Sequence, residues 1–259
     1  MTSPQPKTRL YKDGPLEKGA LLPLEAASAH HVLVALRLGA GDTVSVFNGR
    51  DGEWVGTLET VSRKSADVRI NKQIRPQIAE PDIWLLFAPL KKTATDYTVE
   101  KATELGAARL IPVSTRRTET KRLNVERLNA TARDAAQQSE RLSIPAIDEL
   151  RPLGAVLSDW DPSRTLFVAA ERYDLMSHSQ VERNTTSLFQ VARRTIGPHA
   201  ILIGPEGGFE TEELDGALKL PFVVPVNLGP RILRAETAAI VALTIWQTAA
   251  GEMKEKDTP

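Results

Sequence analysis

Apolar and polar residues alternate along three short segments in the first third of the chain. The segments are residues 43–47, 54–58 and 66–70; one glycine-containing turn, residues 39–42, precedes the first, and another, residues 48–52, separates it from the second. Alternation with a period of two predicts half-buried β-strands, and short strands divided by turns favour a small β-barrel. One segment with helical periodicity, residues 25–38, precedes these strands.

The pattern changes after a stretch bounded by prolines at residues 76–81. From there, continuous apolar runs alternate with helical segments, for example a run at 83–88 and a helix over 93–105. Apolar runs without polar alternation are typical of strands covered on both faces, and their alternation with helices predicts a largely parallel sheet. We therefore predict an α/β fold with two domains, residues 1–76 and residues 77–259.

Two helices of this second region have recognisable ends. For the helix over residues 93–105, Thr95 or Thr93 is a candidate N-terminal cap, and Gly106 suits the C-terminal stop. A longer polar helix is predicted over residues 125–142.

Two strand-loop-helix units lie back to back further along the chain. Apolar runs at residues 201–203 and 222–226 each lead into a glycine-bearing loop, residues 204–208 and 228–231. Ligands of open parallel sheets bind outside the carboxyl ends of the strands, so both loops are predicted to share one small-molecule site. Neither loop has a P-loop or GxGxxG pattern, and Glu206 would repel a triphosphate. A neutral or cationic ligand, bound by backbone groups, fits better.

Composition places the chain among ordinary globular proteins. Of its 259 residues, 41% are hydrophobic and 25% are charged, and no apolar run is long enough to cross a bilayer. The first residues lack the apolar core of a secretory signal, so we expect a cytoplasmic protein.

The absence of cysteine excludes several kinds of chemistry. With no cysteine, the chain has no disulfides, zinc-thiolate sites or thiol nucleophiles. The histidines are too scattered to suggest a metal site, so none is predicted. They are His30, His31, His178 and His199.

The chain carries no net charge, with 33 basic and 33 acidic residues. Basic residues are nevertheless concentrated at residues 61–77 and 114–127. The second of these stretches follows a predicted strand end, where it could meet phosphates near the ligand site. Solvated strand or loop faces are the alternative explanation of both stretches.

Several sequence stretches together resemble one known family. They are RLY at residues 9–11, HV to LG and GD within residues 31–42, EKATELG at 100–106, LIGPEGG at 202–208 and LGPRILRAET at 228–237. With these stretches, the chain resembles the bacterial 16S ribosomal RNA uridine N3-methyltransferases of the SPOUT superfamily along essentially its whole length. Where that family has a Glu-Gln pair late in the long helix, this chain has Gln137-Gln138, so we assign no proton transfer to this helix.

The resemblance implies a PUA-like RNA-binding domain over residues 1–76 and a SPOUT α/β domain tied in a deep trefoil knot over residues 77–259. It also implies S-adenosylmethionine as cofactor, a homodimer, and 16S ribosomal RNA or the small ribosomal subunit as partner. Carried over by motif, the cofactor-binding residues are Leu202, Gly204, Pro205, Gly207, Gly208, Leu228, Gly229, Ile232, Leu233, Thr237 and Ala238.

Methylation of uracil N3 requires loss of a tightly held imide proton and stabilisation of the charge that develops on the uracil oxygens. Arg234 is the candidate for stabilising this charge; alternatively, it forms a salt bridge with Glu236 or Glu206. Glu206 is a candidate general base if it is buried, and otherwise holds its loop together. Carbon methylation of pyrimidines usually employs a cysteine, so its absence is consistent with attack by nitrogen or oxygen.

Two alternative functions remain open from the sequence. One is methylation of a ribose 2'-oxygen by the same fold, and the other is a non-catalytic RNA-binding or ribosome-assembly factor. The residues nominated for RNA contact are Arg9, Arg37, Arg63, Lys64, Arg116 and Arg117.

Overall fold

The chain divides into two units, each with its own β-sheet. The computed structural model describes three ranges of the chain, residues 6–62, 65–170 and 186–254. The first unit comprises Met1–Ala79 and Arg133–Ile144, and the second comprises Glu80–Ala132 and Pro145–Pro259. The predicted boundary at residue 76 assigns residues 133–144 to the second domain, whereas in the structure they belong to the first unit. Periodicity cannot show this return, because one helix runs from the second unit into the first.

The sheet of the first unit has five strands in the order β1-β3-β4-β5-β2. The predicted alternating segments at residues 43–47, 54–58 and 66–70 all lie in its strands. β1 pairs with β3 in parallel and the other pairs are antiparallel. In the described residues β1 and β2 are the two edges of this mixed sheet, which forms a half-barrel, in agreement with the predicted small β domain. The strands are β1 (Arg9–Tyr11), β2 (Leu21–Pro23), β3 (Thr43–Phe47), β4 (Glu53–Val61) and β5 (Ala66–Arg75).

The predicted helix at residues 25–38 is shorter and less regular than expected. It consists of α1 (Ala26–His30) and a π-helical turn over His31–Ala35. Val32 is fully buried against the sheet, whereas Val34 is 54% exposed. Arg37 follows with φ of 54°, in the left-handed region that non-glycine residues rarely adopt. This backbone conformation ends the helical segment.

The sheet of the second unit is entirely parallel in its described pairings. Its main strands are almost fully buried, as expected for a sheet covered on both faces. The order is β11-β13-β10-β12-β6-β7-β8, with β9 also paired to β7. The strands are β6 (Ile83–Phe87), β7 (Arg109–Ser114), β8 (Ala146–Ile147), β9 (Arg151–Pro152), β10 (Thr165–Ala169), β11 (Thr186–Ser187), β12 (His199–Ile203) and β13 (Val223–Asn227).

Six described helices accompany this sheet. They are α2 (Lys92–Glu104), α3 (Val125–Gln138), α4 (Leu153–Ser158), α5 (Leu188–Arg194), α6 (Thr211–Leu218) and α7 (Ala235–Ala250). α3 ends earlier than predicted, and Glu140 just beyond it has φ of 60°. Gly106 does follow α2 with φ of 79°, which suits its predicted role as the C-terminal stop.

Neither threonine caps α2. The N-cap residue is Lys91, which makes no side-chain capping bond. The hydroxyl of Thr95 lies instead within hydrogen-bonding distance of the amide of Leu90 (2.9 Å) and of its carbonyl oxygen (3.0 Å). Thr95 therefore fixes the loop between β6 and α2 rather than the first turn of the helix.

A buried histidine joins α7 to the sheet. His199 opens β12, is 3% exposed, and accepts a 3.0 Å hydrogen bond on Nδ1 from the indole Nε1–H of Trp246. Burial lowers the pKa of His199, and the nearby Arg164 guanidinium lowers it further. The imidazole is therefore neutral near pH 7 and acts as an acceptor that orients the helix following residues 228–234.

Candidate active site

Three neighbouring parallel strands end together at one edge of the second sheet. Phe167 of β10 pairs with Ile201 of β12 on one side and with Val224 of β13 on the other. Residues 204–210 follow β12 and residues 228–234 follow β13, so both loops emerge at the carboxyl edge. This is the edge where open parallel sheets bind ligands.

The loop after β12 is tightly turned. The amide of Gly208 donates a 2.8 Å hydrogen bond to the carbonyl oxygen of Pro205, and Gly208 has φ of 71°. A β-carbon at Gly204 would lie 2.8 Å from the ring of Phe209, so only glycine fits there. The amide of Ala88 donates to the carbonyl oxygen of Ile203, which sets this loop beside the end of β6. The backbone of the loop is therefore held in one position.

Two arginines from the loop after β7 bind this loop or the start of the helix that follows it. Arg117 donates from Nη1 to the carbonyl oxygen of Gly207 (2.6 Å) and from Nε to the carboxylate of Glu210 (2.7 Å). The hydrogen bond and charge of Arg117 lower the pKa of Glu210. Arg116 pairs with Glu212 at 2.7 Å. We call these four side chains, Arg116, Arg117, Glu210 and Glu212, the loop latch.

The loop after β13 presents both backbone and apolar groups. Gly229 has φ of 118°, a conformation that disfavours any side chain. Leu228 is 9% exposed and packs inward, whereas Ile232 is 66% exposed. Leu233 is half-buried. The loop therefore exposes both a glycine backbone and an apolar side chain, Ile232, to solvent.

The first turn of α7 carries the remaining residues nominated from the sequence. Arg234 is its N-cap residue, and its carbonyl oxygen accepts a 2.8 Å hydrogen bond from the amide of Ala238. Thr237 is exposed and Ala238 is 7% exposed. The structure thus places these residues on the same loop and helix end as Gly229.

The two candidate catalytic side chains, Arg234 and Glu206, do not form an ion pair with each other. Arg234 and Glu206 are both exposed. Within residues 6–62, 65–170 and 186–254, Arg234 forms no ion pair with Glu206 or Glu236. The burial on which a general-base role for Glu206 depended is absent from the free chain. The alternative of a salt-bridged Arg234 also finds no support here.

A cleft of about 360 Å³ is lined in part by Arg116 and Glu212 of the loop latch. Burial raises the pKa of Glu213, whose Oε1 accepts a hydrogen bond from the amide of Arg116. No residue of the two glycine loops lines this cleft, so it is separate from the predicted cofactor site. Its lining residues are Arg116, Leu153, Gly154, Leu157, Ser158, Glu212, Glu213, Gly216, Ala217 and Leu220.

Arg9, nominated for RNA contact, is instead committed within the first unit. Its side chain is 13% exposed, and Nε donates to Glu53 at 2.8 Å. Its guanidinium also lies 4.5 Å from the centroid of the Phe47 ring. A side chain with its donors used in this way is better explained as structural. The remaining acceptors are the carbonyl oxygens of Ala136 (3.0 Å), Gln137 (2.9 Å) and Arg141 (2.8 Å).

The other residues nominated for RNA contact fall into three groups. Arg37 is exposed at a strained backbone position. Arg63 and Lys64 lie outside the described residues. Arg116 and Arg117 form the loop latch, so the structure brings them to the candidate site in a role that the sequence did not indicate.

The acidic partners of the latch are the functional residues that sequence reasoning missed. Glu210 and Glu212 are not among the residues that the sequence analysis nominated for the site. Their arginine partners are more than 90 positions away in the chain. Opposite charge on two loops at the same sheet edge was the only available signal, and it requires the strand order to be known.

The sequence predicts neither a metal site nor a membrane-spanning segment. Among the described residues, no group of three or more His, Cys, Asp or Glu side chains could hold a metal ion. None of the described helices is long and apolar enough to span a membrane. His178, one of the histidines considered, lies outside the described ranges.

Comparisons with known proteins agree with this architecture. The chain matches the RNA methyltransferase domain family over residues 78–247 and the RNA methyltransferase PUA domain family over residues 24–71. A Rickettsia conorii protein named ribosomal RNA small subunit methyltransferase E is 31% identical over 91% of this chain and 93% of its own length.

Two solved structures extend the comparison. The Neisseria gonorrhoeae ribosomal RNA small subunit methyltransferase E bound to S-adenosylmethionine superposes with a TM-score of 0.83 at 23% identity, over 95% of this chain and 99% of that one. A Legionella pneumophila putative methyltransferase with bound SAM has a TM-score of 0.79 at 28% identity, over 93% and 97%.

The fold and the paired glycine loops define an RNA methyltransferase with an N-terminal PUA domain. The expected SPOUT α/β fold class is confirmed by its structural neighbours. Within that class, the chain belongs to the family of ribosomal RNA small subunit methyltransferase E.

Proposed function

We propose that this protein transfers a methyl group from S-adenosylmethionine to N3 of a uridine in 16S ribosomal RNA. The observation that carries the proposal is the convergence of residues 204–208 and 228–234 at one sheet edge, with Arg234 exposed beside them. The relatives named for small-subunit RNA methylation, and the relative solved with SAM at 28% identity, support the substrate and the cofactor.

The two loops fit the cofactor in shape and chemistry. Gly208 and Gly229 both have positive φ, and a β-carbon built on either meets no atom within 4 Å. That open space lets a ligand approach the backbone directly. Apolar groups at Leu228 and Ile232 suit the uncharged parts of the cofactor. When bound, S-adenosylmethionine supplies a methyl group on a positively charged sulfonium.

The proposed contacts with the cofactor extend the two loops into their flanking elements. Leu202 lies near the end of β12 and is fully buried, so it would support the loop from within the core of the second unit. The full proposed set is Leu202, Gly204, Pro205, Gly207, Gly208, Leu228, Gly229, Ile232, Leu233, Thr237 and Ala238.

Arg234 is proposed to stabilise negative charge on the uracil oxygens as N3 loses its proton. Its guanidinium has no ion-pair partner in the described part of the chain, so its charge is not neutralised by Glu206 or Glu236. A donor aimed at developing charge contributes about 10²–10³ in kcat. We infer that Arg234 is a catalytic residue of this magnitude.

Glu206 is proposed as the acceptor of the N3 proton once RNA covers the loop. Its side chain is exposed, and the described hydrogen bonds that hold the loop come from Arg117 and from the Gly208 amide, not from Glu206. A carboxylate becomes more basic when a substrate excludes water from it. Contact with the RNA would therefore create the burial that the free chain lacks.

The first unit is proposed to bind RNA as a PUA-like domain spanning residues 1–76. Arg37 is exposed and held at φ of 54°, and strained conformations of this kind cluster at functional sites. Arg63 and Lys64 are further proposed contacts. Arg9 is not retained, because its donors are used within the unit.

We further propose that the protein acts as a homodimer in the cytoplasm, where the small ribosomal subunit is made. Large apolar side chains remain exposed on the second unit, including Tyr97 (42%) and Ile232 (66%), and a second copy would cover such groups. Light scattering after gel filtration should give about twice the 28.4 kDa mass of the chain. A monomer across the accessible concentration range would contradict this proposal.

The deciding experiment is nucleoside mass spectrometry of reacted RNA. Naked 16S ribosomal RNA and intact small subunits, both from a strain lacking the enzyme, would be incubated with S-adenosylmethionine and the protein. The expected product is uridine carrying a methyl group on the base at N3. A methyl group on ribose would refute N3 methylation and favour the 2'-O alternative, and no methylation of either substrate would refute the proposal altogether.

A further inference from the structure

The two arginines of the loop latch are already engaged with protein groups. Arg116 and Arg117 are ion-paired with Glu212 and Glu210, and Arg117 also binds the backbone of Gly207. An arginine that contacts an RNA phosphate must release such partners. If residues 114–127 contact RNA, the contacts must therefore come from basic side chains other than Arg116 and Arg117.

Four other cations stand at the same sheet edge. They are Lys91 and Lys92, after β6, and Lys121 and Arg122, after β7. All four are exposed, and none has an ion-pair partner in the described part of the chain. We call this group the basic edge.

The two halves of the basic edge are held together by a hydrogen bond. The hydroxyl of Thr120 donates to the carbonyl oxygen of Leu90 at 3.1 Å. Lys121 and Lys91 are the next residues in each loop, so their backbones are neighbours. The same carbonyl lies within hydrogen-bonding distance of the Thr95 hydroxyl, at 3.0 Å. Two separate chain segments thus present their cations from one fixed location.

This location adjoins the candidate cofactor loop. β6 pairs with β12 along its whole length, and the amide of Ala88 donates to the carbonyl oxygen of Ile203 at 3.1 Å. Lys91 follows Ala88 by three residues, and Gly204 follows Ile203 directly. RNA lying on the basic edge would therefore run past the loop where the methyl group is transferred.

The local electrostatics favour an anion at this point. Lys91 and Lys92 begin α2, and the first turn of that helix contains no acidic residue. The positive end of a helix dipole is stabilised by negative charge, so two lysines there increase the repulsion. Glu119 is the only acidic residue of residues 115–124. An anionic partner relieves this excess of positive charge.

We propose that Lys91, Lys92, Lys121 and Arg122 form a phosphate-binding surface for the RNA substrate. The proposal rests on the proposed RNA-methyltransferase function and adds the residues that hold the RNA backbone beside the site. Phosphate contacts of this kind fix the position of a nucleic acid without reading its sequence. The basic edge therefore contributes affinity and register, and the choice of base lies elsewhere.

The test compares two triple variants of the full-length protein. The first is Lys91→Ala, Lys121→Ala and Arg122→Ala, which removes charges from the basic edge. The control is Lys219→Ala, Arg193→Ala and Arg194→Ala, which removes the same number of charges at the opposite, amino edge of the sheet. All three control residues are exposed, and they precede β13 and β12.

Binding of 16S ribosomal RNA would be measured by filter retention across salt concentrations. Each lost phosphate contact lowers the steepness of log K against log salt by about 0.7 for single-stranded nucleic acid, so the first variant should lose about 2. Its affinity for S-adenosylmethionine, measured by calorimetry, should stay that of the wild type. A salt dependence unchanged from wild type, or reduced equally in the control, would overturn the proposal.

The outcomes separate this inference from the proposed function. If the wild-type protein methylates small subunits but the basic-edge variant keeps the full salt dependence, only the basic edge is refuted. If the wild-type protein binds RNA and shows no methyl transfer, the proposed function fails, and the salt dependence of the variants still decides where the RNA lies.

Discussion

Arg117 donates a 2.6 Å hydrogen bond to the carbonyl oxygen of Gly207, across 90 residues of sequence. The same guanidinium binds Glu210 at 2.7 Å, so one side chain fixes both the tip of the glycine loop and the residue before α6. Its Cδ would lie 3.3 Å from a β-carbon at Gly207. The loop that is proposed to hold the cofactor is therefore positioned by a side chain from a different strand end.

Replacing Arg117 with Ala should weaken S-adenosylmethionine binding by about tenfold. Solvent weakens an exposed hydrogen bond to a charged group, so a tenfold loss is near the expected limit. Calorimetry would measure it. Arg116→Ala is the matched control, because Arg116 pairs with Glu212 but contacts no residue of the glycine loop. Equal losses in both variants would argue for a general charge effect instead of loop positioning.

Replacing Arg234 with Ala should lower kcat by about 10²–10³ with cofactor affinity nearly retained, since the proposed contact forms with charge on the uracil. Single-turnover methylation of small subunits would measure the rate. The unfolding temperature should hardly change, because no described acidic side chain depends on Arg234. If turnover survives the substitution, Arg234 is not catalytic.

Local sequence patterns predicted most elements of the fold. The alternating stretch at residues 43–47 is β3, and the apolar run at 83–88 contains β6, because side-chain periodicity follows directly from backbone geometry. The end of α3 was placed too late, and α2 was given the wrong cap. Thr95 was misjudged because its hydroxyl binds the loop at Leu90, and no capping rule includes that loop.

The roles of basic side chains were much harder to predict. Arg9 and Arg117 look alike in sequence, as cations near a proposed RNA-binding region. Arg9 binds carbonyl oxygens at the end of α3, which are more than 120 residues distant, and Arg117 binds Gly207. Whether a cation is free or paired depends on strand order, and this order is a long-range property that composition and spacing do not contain.

Replacing Glu53 with Gln should destabilise the protein by about 3 kcal/mol, the lower end of the cost of breaking a buried ion pair. Glu53 is 4% exposed and pairs with Arg9 and Arg75. Urea unfolding measures the loss. Glu59→Gln removes the exposed pair with Arg69 and should cost much less, because solvent screens that pair. Equal costs would show that burial of the Arg9 pair is not decisive.

His199 should make stability depend on pH in the weakly acidic range. Burial lowers its pKa in the folded state, so below about pH 6.5 the unfolded chain takes up a proton that the folded chain does not. Stability is therefore full above that pH and falls as the pH drops toward the folded pKa. The decline comes from burial, which disfavours the charged form of the imidazole that accepts the hydrogen bond from Trp246.

The check is His199→Asn, whose side-chain oxygen can replace Nδ1 as the acceptor for Trp246. Unfolding free energies of both proteins would be measured from about pH 8 to pH 5. The wild type should lose more stability than the variant over this range. Parallel curves for the two proteins would rule out His199 as the source of the pH dependence.

Replacing Gly229 with Ala should separate cofactor binding from backbone strain. Gly229 and Gly14 have φ of 118° and 101°, and a β-carbon built on either meets no atom within 4 Å. The Ala variants of both positions should therefore carry similar strain, about 1–3 kcal/mol, visible as similar drops in unfolding temperature. Only the methyl group at Gly229 would enter the space proposed for S-adenosylmethionine.

We expect at least about a tenfold loss of cofactor affinity for Gly229→Ala, since 1.4 kcal/mol of lost contact is tenfold, and none for Gly14→Ala. Equal affinities in the two variants would mean that the cofactor does not approach the backbone at Gly229.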